Sequence, residues 1–158
     1  MQRIAGKCAI FAALALFSCL TAVAANVHIY QGRYANASAV LFTWDGRYLY
    51  RGRYANASEV LCAWDGHALY AGRYANSSAI QCVWNGKHCY RGRYENSSEI
   101  LWTWDGKYVY QGRYTNSADI RYVYDGRYLY HGRYANSSDI LLATDGHVPV
   151  PVLMACVW

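Results

Sequence analysis

Proline is nearly absent from this chain, at 2 of 158 residues, which excludes collagen-like and proline-rich architectures. Charge is scarce as well. Asp, Glu, Lys and Arg together make up 16%, against about 25% in ordinary globular chains, so the chain is not a solvated, disordered tail. No block of consecutive basic residues occurs, and the formal net charge of +5 gives no basis for a nucleic-acid binder. Phosphate-cradling glycine loops, metalloprotease motifs and nucleophile elbows are missing too. Phenylalanine numbers only 3, yet tyrosine reaches 17 and tryptophan 6. That surplus of polar aromatics is the first positive signal.

The longest apolar run, Cys8 to Leu20, lies near the N-terminus. Arg3 and Lys7 precede it and Ala22-Val23-Ala24 follows it, so residues 1–24 read as a secretory signal peptide cleaved before Ala25. The run falls short of the ~20 residues that span a bilayer, which argues against an uncleaved anchor. Leu16-Phe17-Ser18-Cys19 also resembles a lipobox, so lipid anchoring at Cys19 is the alternative. The expected location is periplasmic or extracellular. Loss of Arg3 and Lys7 lowers the basic count from 15 to 13 against 10 acidic residues, a mature net charge of +3.

From Tyr30 onward the sequence repeats every 20 residues, six times, with neither insertion nor deletion. The unit is Y-x-G-R-Y-x-N-[AS]-[SA]-x-[IV]-x-x-x-W-[DN]-G-x-x-x, with Tyr124 and Thr144 in place of the tryptophan in the last two copies. Two tyrosines per unit account for 12 of the 17. Asp45-Gly46, Asp65-Gly66, Asn85-Gly86, Asp105-Gly106, Asp125-Gly126 and Asp145-Gly146 are spelled as two-residue type I′ turns. Around the first of them, Leu41-Phe42-Thr43-Trp44 and Arg47-Tyr48-Leu49-Tyr50 are strand-forming residues.

Such a turn pairs Trp104 with Lys107, Thr103 with Tyr108 and Trp102 with Val109. Ile100, Trp102, Trp104 and Val109 then share one sheet face; Leu101, Thr103, Tyr108 and Tyr110 share the other. Both faces are partly apolar, so the hairpins must wrap, stack or close until both are covered. Gly32 and its counterparts fall between same-face tyrosines such as Tyr30 and Tyr34, where a ring can cross a bare backbone. Ala35 to Ala39 is a polar connector in which Asn36 and Ser38 favour a short turn.

The expected fold is therefore all-β: six tandem 20-residue β-hairpin repeats over residues 25–147, forming a solenoid or a closed ring. Residues 148–158 depart from the repeat, and Pro149 and Pro151 bar a central strand there, so an apolar C-terminal cap or docking tail is expected. Twenty residues per unit leave about 5–7 per strand, against the ~9–11 of a membrane strand. The mature chain is expected to have no membrane span.

The stretch D-G-x-x-Y-x-G-R-Y, seen from Asp45 to Tyr54 and from Asp105 to Tyr114, resembles MORN-type repeats. The resemblance covers the hairpin half of each unit and implies a non-catalytic scaffold or binding module. The period here is shorter, and a polar connector stands where that family has a second glycine pair.

Catalytic centres converge unlike groups at one place, whereas a repeat supplies the same groups six times. The turn aspartates are turn formers, and the 5 histidines fall at unrelated positions. No enzyme, cofactor or metal centre is expected. The binding candidates are Arg33, Arg53, Arg73, Arg93, Arg113 and Arg133 with Tyr34, Tyr54, Tyr74, Tyr94, Tyr114 and Tyr134. Together they could offer guanidinium groups to an anionic polymer and ring faces to carbohydrate. The alternative is that the arginines pair with Glu59, Glu99, Asp119 or Asp139, or stack on tyrosine.

Cys62, Cys82, Cys89 and Cys156 remain after export and are disulfide candidates, with Cys82–Cys89 as cross-strand partners and Cys62–Cys156 the remainder. A metal set of Cys62, Cys82, Cys89 and His67 is the competing possibility. The expected role is a structural or interaction scaffold at the cell envelope, with the chain itself, an envelope component or carbohydrate as partner.

Overall fold

A computed structural model describes residues 25–158. The signal-peptide reading of residues 1–24 lies outside the described residues. The strands are β1 (Val27–Gln31), β2 (Val40–Trp44), β3 (Tyr48–Arg51), β4 (Val60–Trp64), β5 (Ala68–Ala71) and β6 (Ile80–Trp84). They continue as β7 (His88–Arg91), β8 (Ile100–Trp104), β9 (Tyr108–Gln111), β10 (Ile120–Tyr124), β11 (Tyr128–His131) and β12 (Ile140–Thr144), and a helix α1 (Val150–Met154) follows. Every strand pairs antiparallel with its chain neighbours and β1 pairs with β12, so the sheet is a closed barrel. Among the described residues no helix is long and apolar enough to cross a membrane.

The hairpin register differs from the expected one by two residues. Trp104 pairs with Val109, Thr103 with Tyr110 and Trp102 with Gln111. The cause is the turn carboxylate. Asp105 Oδ1 accepts the backbone N–H groups of Lys107 (2.9 Å) and Tyr108 (2.7 Å), and Tyr110 donates its hydroxyl to Oδ2 at 2.6 Å. A side chain thus closes the loop, as in an Asx turn. Only glycine takes positive φ among the described residues, 103° at Gly106, so the type I′ turn, which needs two such residues in succession, does not form.

A shift of two keeps the faces of Trp102, Trp104, Val109, Thr103 and Tyr110 as expected, but a bulge alters the strand start. Cys89 pairs with Trp102 and Tyr90 with Ile100, passing over Leu101. Leu101 therefore packs into the barrel interior, and Ile100 packs outside with Val83 and Tyr90, the reverse of a strict alternation. Gly32 and its counterparts lie beyond the strand ends with nothing within 4 Å of the Cβ position. No ring crosses them; each takes a positive φ, between 69° and 80°.

The ring closes through its own first strand. Ile29 pairs with Thr144, Tyr30 with Ala143 and Gln31 with Leu142, as Leu49, Tyr50 and Arg51 pair with Trp44, Thr43 and Phe42 in the first hairpin. The sixth turn is thus completed by a segment from the other end of the chain. Asp145 accepts the His28 N–H at 2.7 Å and the Tyr30 hydroxyl at 2.8 Å, where Asp45 accepts Tyr48 N–H at 2.6 Å and the Tyr50 hydroxyl at 2.7 Å.

Both faces of the barrel wall are covered. Inside, Ile29, Trp44, Leu49, Trp102, Val109 and Leu129 meet the C-terminal segment, where Val148, Val152 and Leu153 are 0% exposed and Met154 2%. His147 and Pro149 adjoin the first two turns, whereas Trp158 adjoins Gln111 and Arg121 at the opposite barrel end. The segment therefore threads the barrel from end to end, with α1 as a plug. Outside, Thr43 and Thr103 are fully buried because the connectors fold back over the wall. Thr43 Oγ1 donates to the Gly52 carbonyl at 2.8 Å and Thr103 Oγ1 to that of Gly112 at 2.7 Å.

Candidate functional site

Chemistry-bearing side chains gather in three places: the turns, the outer connectors and the barrel interior near the third unit. In the turns, burial works against ionisation of Asp65, Asp105, Asp125 and Asp145. The N–H donors and tyrosine hydroxyls around each carboxylate outweigh it and hold the pKa below the ordinary range. The partners shift upward. Burial, with the hydrogen bond to Asp45, raises Tyr50 to about 12, and the hydrogen bond to Asp105, with burial, raises Tyr110 to about 12. These pairs are shaped for holding turns, with a charged acceptor already satisfied by fixed donors.

The connectors carry the arginine and tyrosine candidates. Tyr34, Tyr54, Tyr74, Tyr94, Tyr114 and Tyr134 are 64–72% exposed. The guanidinium carbons of Arg33, Arg53, Arg93, Arg113 and Arg133 lie 5.8–6.0 Å from the ring centroid of the tyrosine that follows. Stacking engages the guanidinium face and leaves its in-plane donors to other partners. Of the two roles weighed against binding, contact with the following tyrosine ring is therefore present for five of the six arginines, Arg73 not among them, and pairing with connector acids is not found among the described residues. Among the described residues the one ion pair joins His28 to Asp145, at 3.1 Å. Asp119 and Asp139 instead accept from the side-chain amides of Asn116 and Asn136 at 3.1 and 2.9 Å.

The cysteines point into the barrel. Cys82 pairs with Arg91 and Cys89 with Trp84, so the two are diagonal neighbours rather than direct cross-strand partners, a consequence of the two-residue register shift. Both side chains still face the barrel interior. Interaction between the two thiols lowers the pKa of Cys82 and raises that of Cys89, which burial raises further. Burial pushes Cys62 up to about 12 and also raises Cys156. All four are free thiols.

The competing metal set does not assemble: among the described residues no three His, Cys, Asp or Glu side chains are placed to hold an ion. His67 turns its Nδ1 to the Trp84 carbonyl, 2.9 Å away at the barrel rim. Beside the thiol pair lies a cavity of about 290 Å³ whose lining includes Gln81, Cys82, Cys89, Trp102, Met154 and Trp158. Sequence reasoning missed this cavity. Its trace was the third unit, which places Cys89 where other units carry leucine or valine, and Cys82 where all but the second, with Cys62, carry a large residue.

Six copies of one hairpin, joined edge to edge and closed by the first strand, define a six-fold flower-like β ring. The chain belongs to the 6-fold beta flower protein family, whose model matches residues 29–153. No curated protein and no solved structure matches the chain. The family is one of tandem hairpins and not specifically the MORN family, so what stands of that resemblance is the repeated hairpin itself.

Proposed function

We propose that this β flower is a non-catalytic scaffold, exported and working at the cell envelope through its outer connectors. One observation carries the reading: the interior is occupied by the chain's own helix, while the same exposed Arg–Tyr pair recurs around the outside. Closed barrels that act on small ligands use an open lumen; here residues 148–154 occupy it apart from the cavity beside Cys82 and Cys89. The leader-like residues 1–24 support export, and the mature N-terminus tests it. Intact-mass measurement is expected to show cleavage before Ala25, and a lipid-modified Cys19 would replace the freely exported form with an anchored one.

A second reading, binding of carbohydrate or an anionic polymer, draws support from arginines that have no carboxylate partner among the described residues. Identical sites around a ring favour avidity with repeating ligands. Titration with an acidic polysaccharide at rising salt is the test. Binding that weakens with salt, and weakens again when Arg53, Arg93 and Arg133 are replaced by Gln, supports this reading. Absent or salt-insensitive binding retires it and leaves the scaffold.

A further inference from the structure

The third unit departs from its sisters where the cavity lies. Cys82 stands at the position of Phe42, Trp102, Tyr122 and Leu142, which the second unit also gives to a cysteine, Cys62, and Cys89 stands at that of Leu49, Leu69, Val109 and Leu129. Gln81 likewise replaces the leucine of positions 41, 61, 101 and 141, Arg121 being the other polar residue at this place in the repeat. Space-filling alone accounts for the large residues of the other units. The substitutions in the third unit remove bulk from one stretch of wall, and Cys82, Cys89 and Gln81 all line the cavity that results. Met154 and Trp158 of the C-terminal segment form part of its other side, with Trp158 60% exposed at the barrel end.

We propose that Cys82 and Cys89 form a redox dithiol that reacts with small-molecule disulfides entering this cavity. The proposal is independent of the outer surface and of its partners. Cys82 acts first: interaction with Cys89 lowers its pKa, and it is the more accessible thiol, 7% exposed against 1%. Its proton leaves, and its sulfur attacks one sulfur of R–S–S–R. The S–S bond breaks, and the departing thiolate takes up a proton as RSH, leaving R joined to Cys82 in a mixed disulfide. Cys89 then loses its proton and attacks the Cys82 sulfur, and the second RSH departs. Two cysteine thiols are oxidised, one small disulfide is reduced to two thiols, and no further reagent is required. The two residues are diagonal neighbours on β6 and β7, so the sulfurs must close to a bond of about 2.05 Å, a movement that local twisting of β6 against β7 can supply.

The test incubates the mature chain with 2-hydroxyethyl disulfide, then counts thiols in denaturant and maps linked peptides. Two of the four thiols are expected to disappear, with the Cys82 and Cys89 peptides joined. Cys89→Ser is expected to stop at a mixed disulfide on Cys82, and Cys82→Ser to react at least tenfold more slowly. A Cys62→Ser, Cys156→Ser double variant should behave as the parent. Four thiols still free in the parent chain, or a linkage to Cys62 or Cys156 in place of the Cys82–Cys89 bond, would overturn the proposal. The parent measurement decides it even if a variant does not fold. Failure here leaves the connector surface untouched, just as absent polysaccharide binding leaves the dithiol untouched.

Discussion

Leu153→Ala is the substitution that most directly tests the threaded interior. Leu153 is 0% exposed and belongs to the cluster formed by the barrel wall and the helix. Truncating a leucine in such a setting removes its transfer free energy and leaves a cavity, a loss of about 2–5 kcal/mol. Small domains have only about 5–15 kcal/mol of net stability, so the loss takes a large share of it. Trp158→Ala is the control. It removes a larger side chain from the same segment, but one 60% exposed, and surface changes of this kind stay within about 0.5 kcal/mol. Deleting residues 148–158 removes the buried side chains of Val148, Val152, Leu153 and Met154 together. At about 1.5–3 kcal/mol each, their loss amounts to roughly 6–12 kcal/mol, comparable with the whole stability. Urea unfolding followed by tryptophan fluorescence measures the point variants, and near-UV circular dichroism reports on the truncation. A Leu153→Ala protein within about 1 kcal/mol of the parent, or a truncated chain that still unfolds cooperatively, would mean that the barrel stands without its plug.

Asp145→Ala removes the acceptor shared by the His28 N–H, the His28 ring and the Tyr30 hydroxyl. At about 1.5–3 kcal/mol per bond to a charged group, hydrogen exchange should accelerate first in β1 and its partner β12. Gly146→Ala should loosen the same junction by crowding, since an added Cβ meets Val27 Cγ2 at 2.6 Å; the β1 amides again report it. Folded Asp65, Asp105, Asp125 and Asp145 have lowered pKa values. Their stabilisation is complete above the unfolded value of about 3.9 and is lost as pH falls through the folded values. The tyrosines run the other way: the contributions of Tyr50 and Tyr110 are complete below about 10 and lost as pH rises toward about 12. Thermal midpoints measured across pH should therefore fall at both limbs, and Asp105→Asn should blunt the acid one.

Much of the barrel was legible because a 20-residue repeat shows its strands and turns six times over. Trp102 and Val109 could be assigned to one face and Thr103 and Tyr110 to the other, since a register error of two residues does not change the side. The register itself was not legible. Turn dipeptides favour type I′ geometry by conformational preference, but in Asp105 a carboxylate with two backbone donors at 2.7–2.9 Å competes with it and wins. That same shift turned Cys82 and Cys89 from opposed into diagonal residues. The fates of Ile100 and Leu101 depended on a bulge, which no alternation pattern reveals. Closure left a trace that is visible only in hindsight. Among the described residues, Val27 to Gln31 is a returning strand with no outgoing one before it, and Ile140 to Thr144 is an outgoing strand with none returning after it. The tail was legible as a departure from the repeat, but its place inside depended on the room left by the wall.

The junction between β1 and β12 joins residues 115 and 117 positions apart in sequence, and no covalent link makes that joint specific to one molecule. A first strand from a neighbouring chain carries the same His28, Tyr30 and Gln31 and fits the same vacancy. What keeps the ring closed on itself is effective concentration. The tethered strand sees its site at roughly millimolar strength, so exchange between molecules is outcompeted in dilute solution and gains ground as the protein is crowded or the junction weakened. The sixth hairpin is thus both the seam that finishes the ring and the hinge through which rings could trade strands.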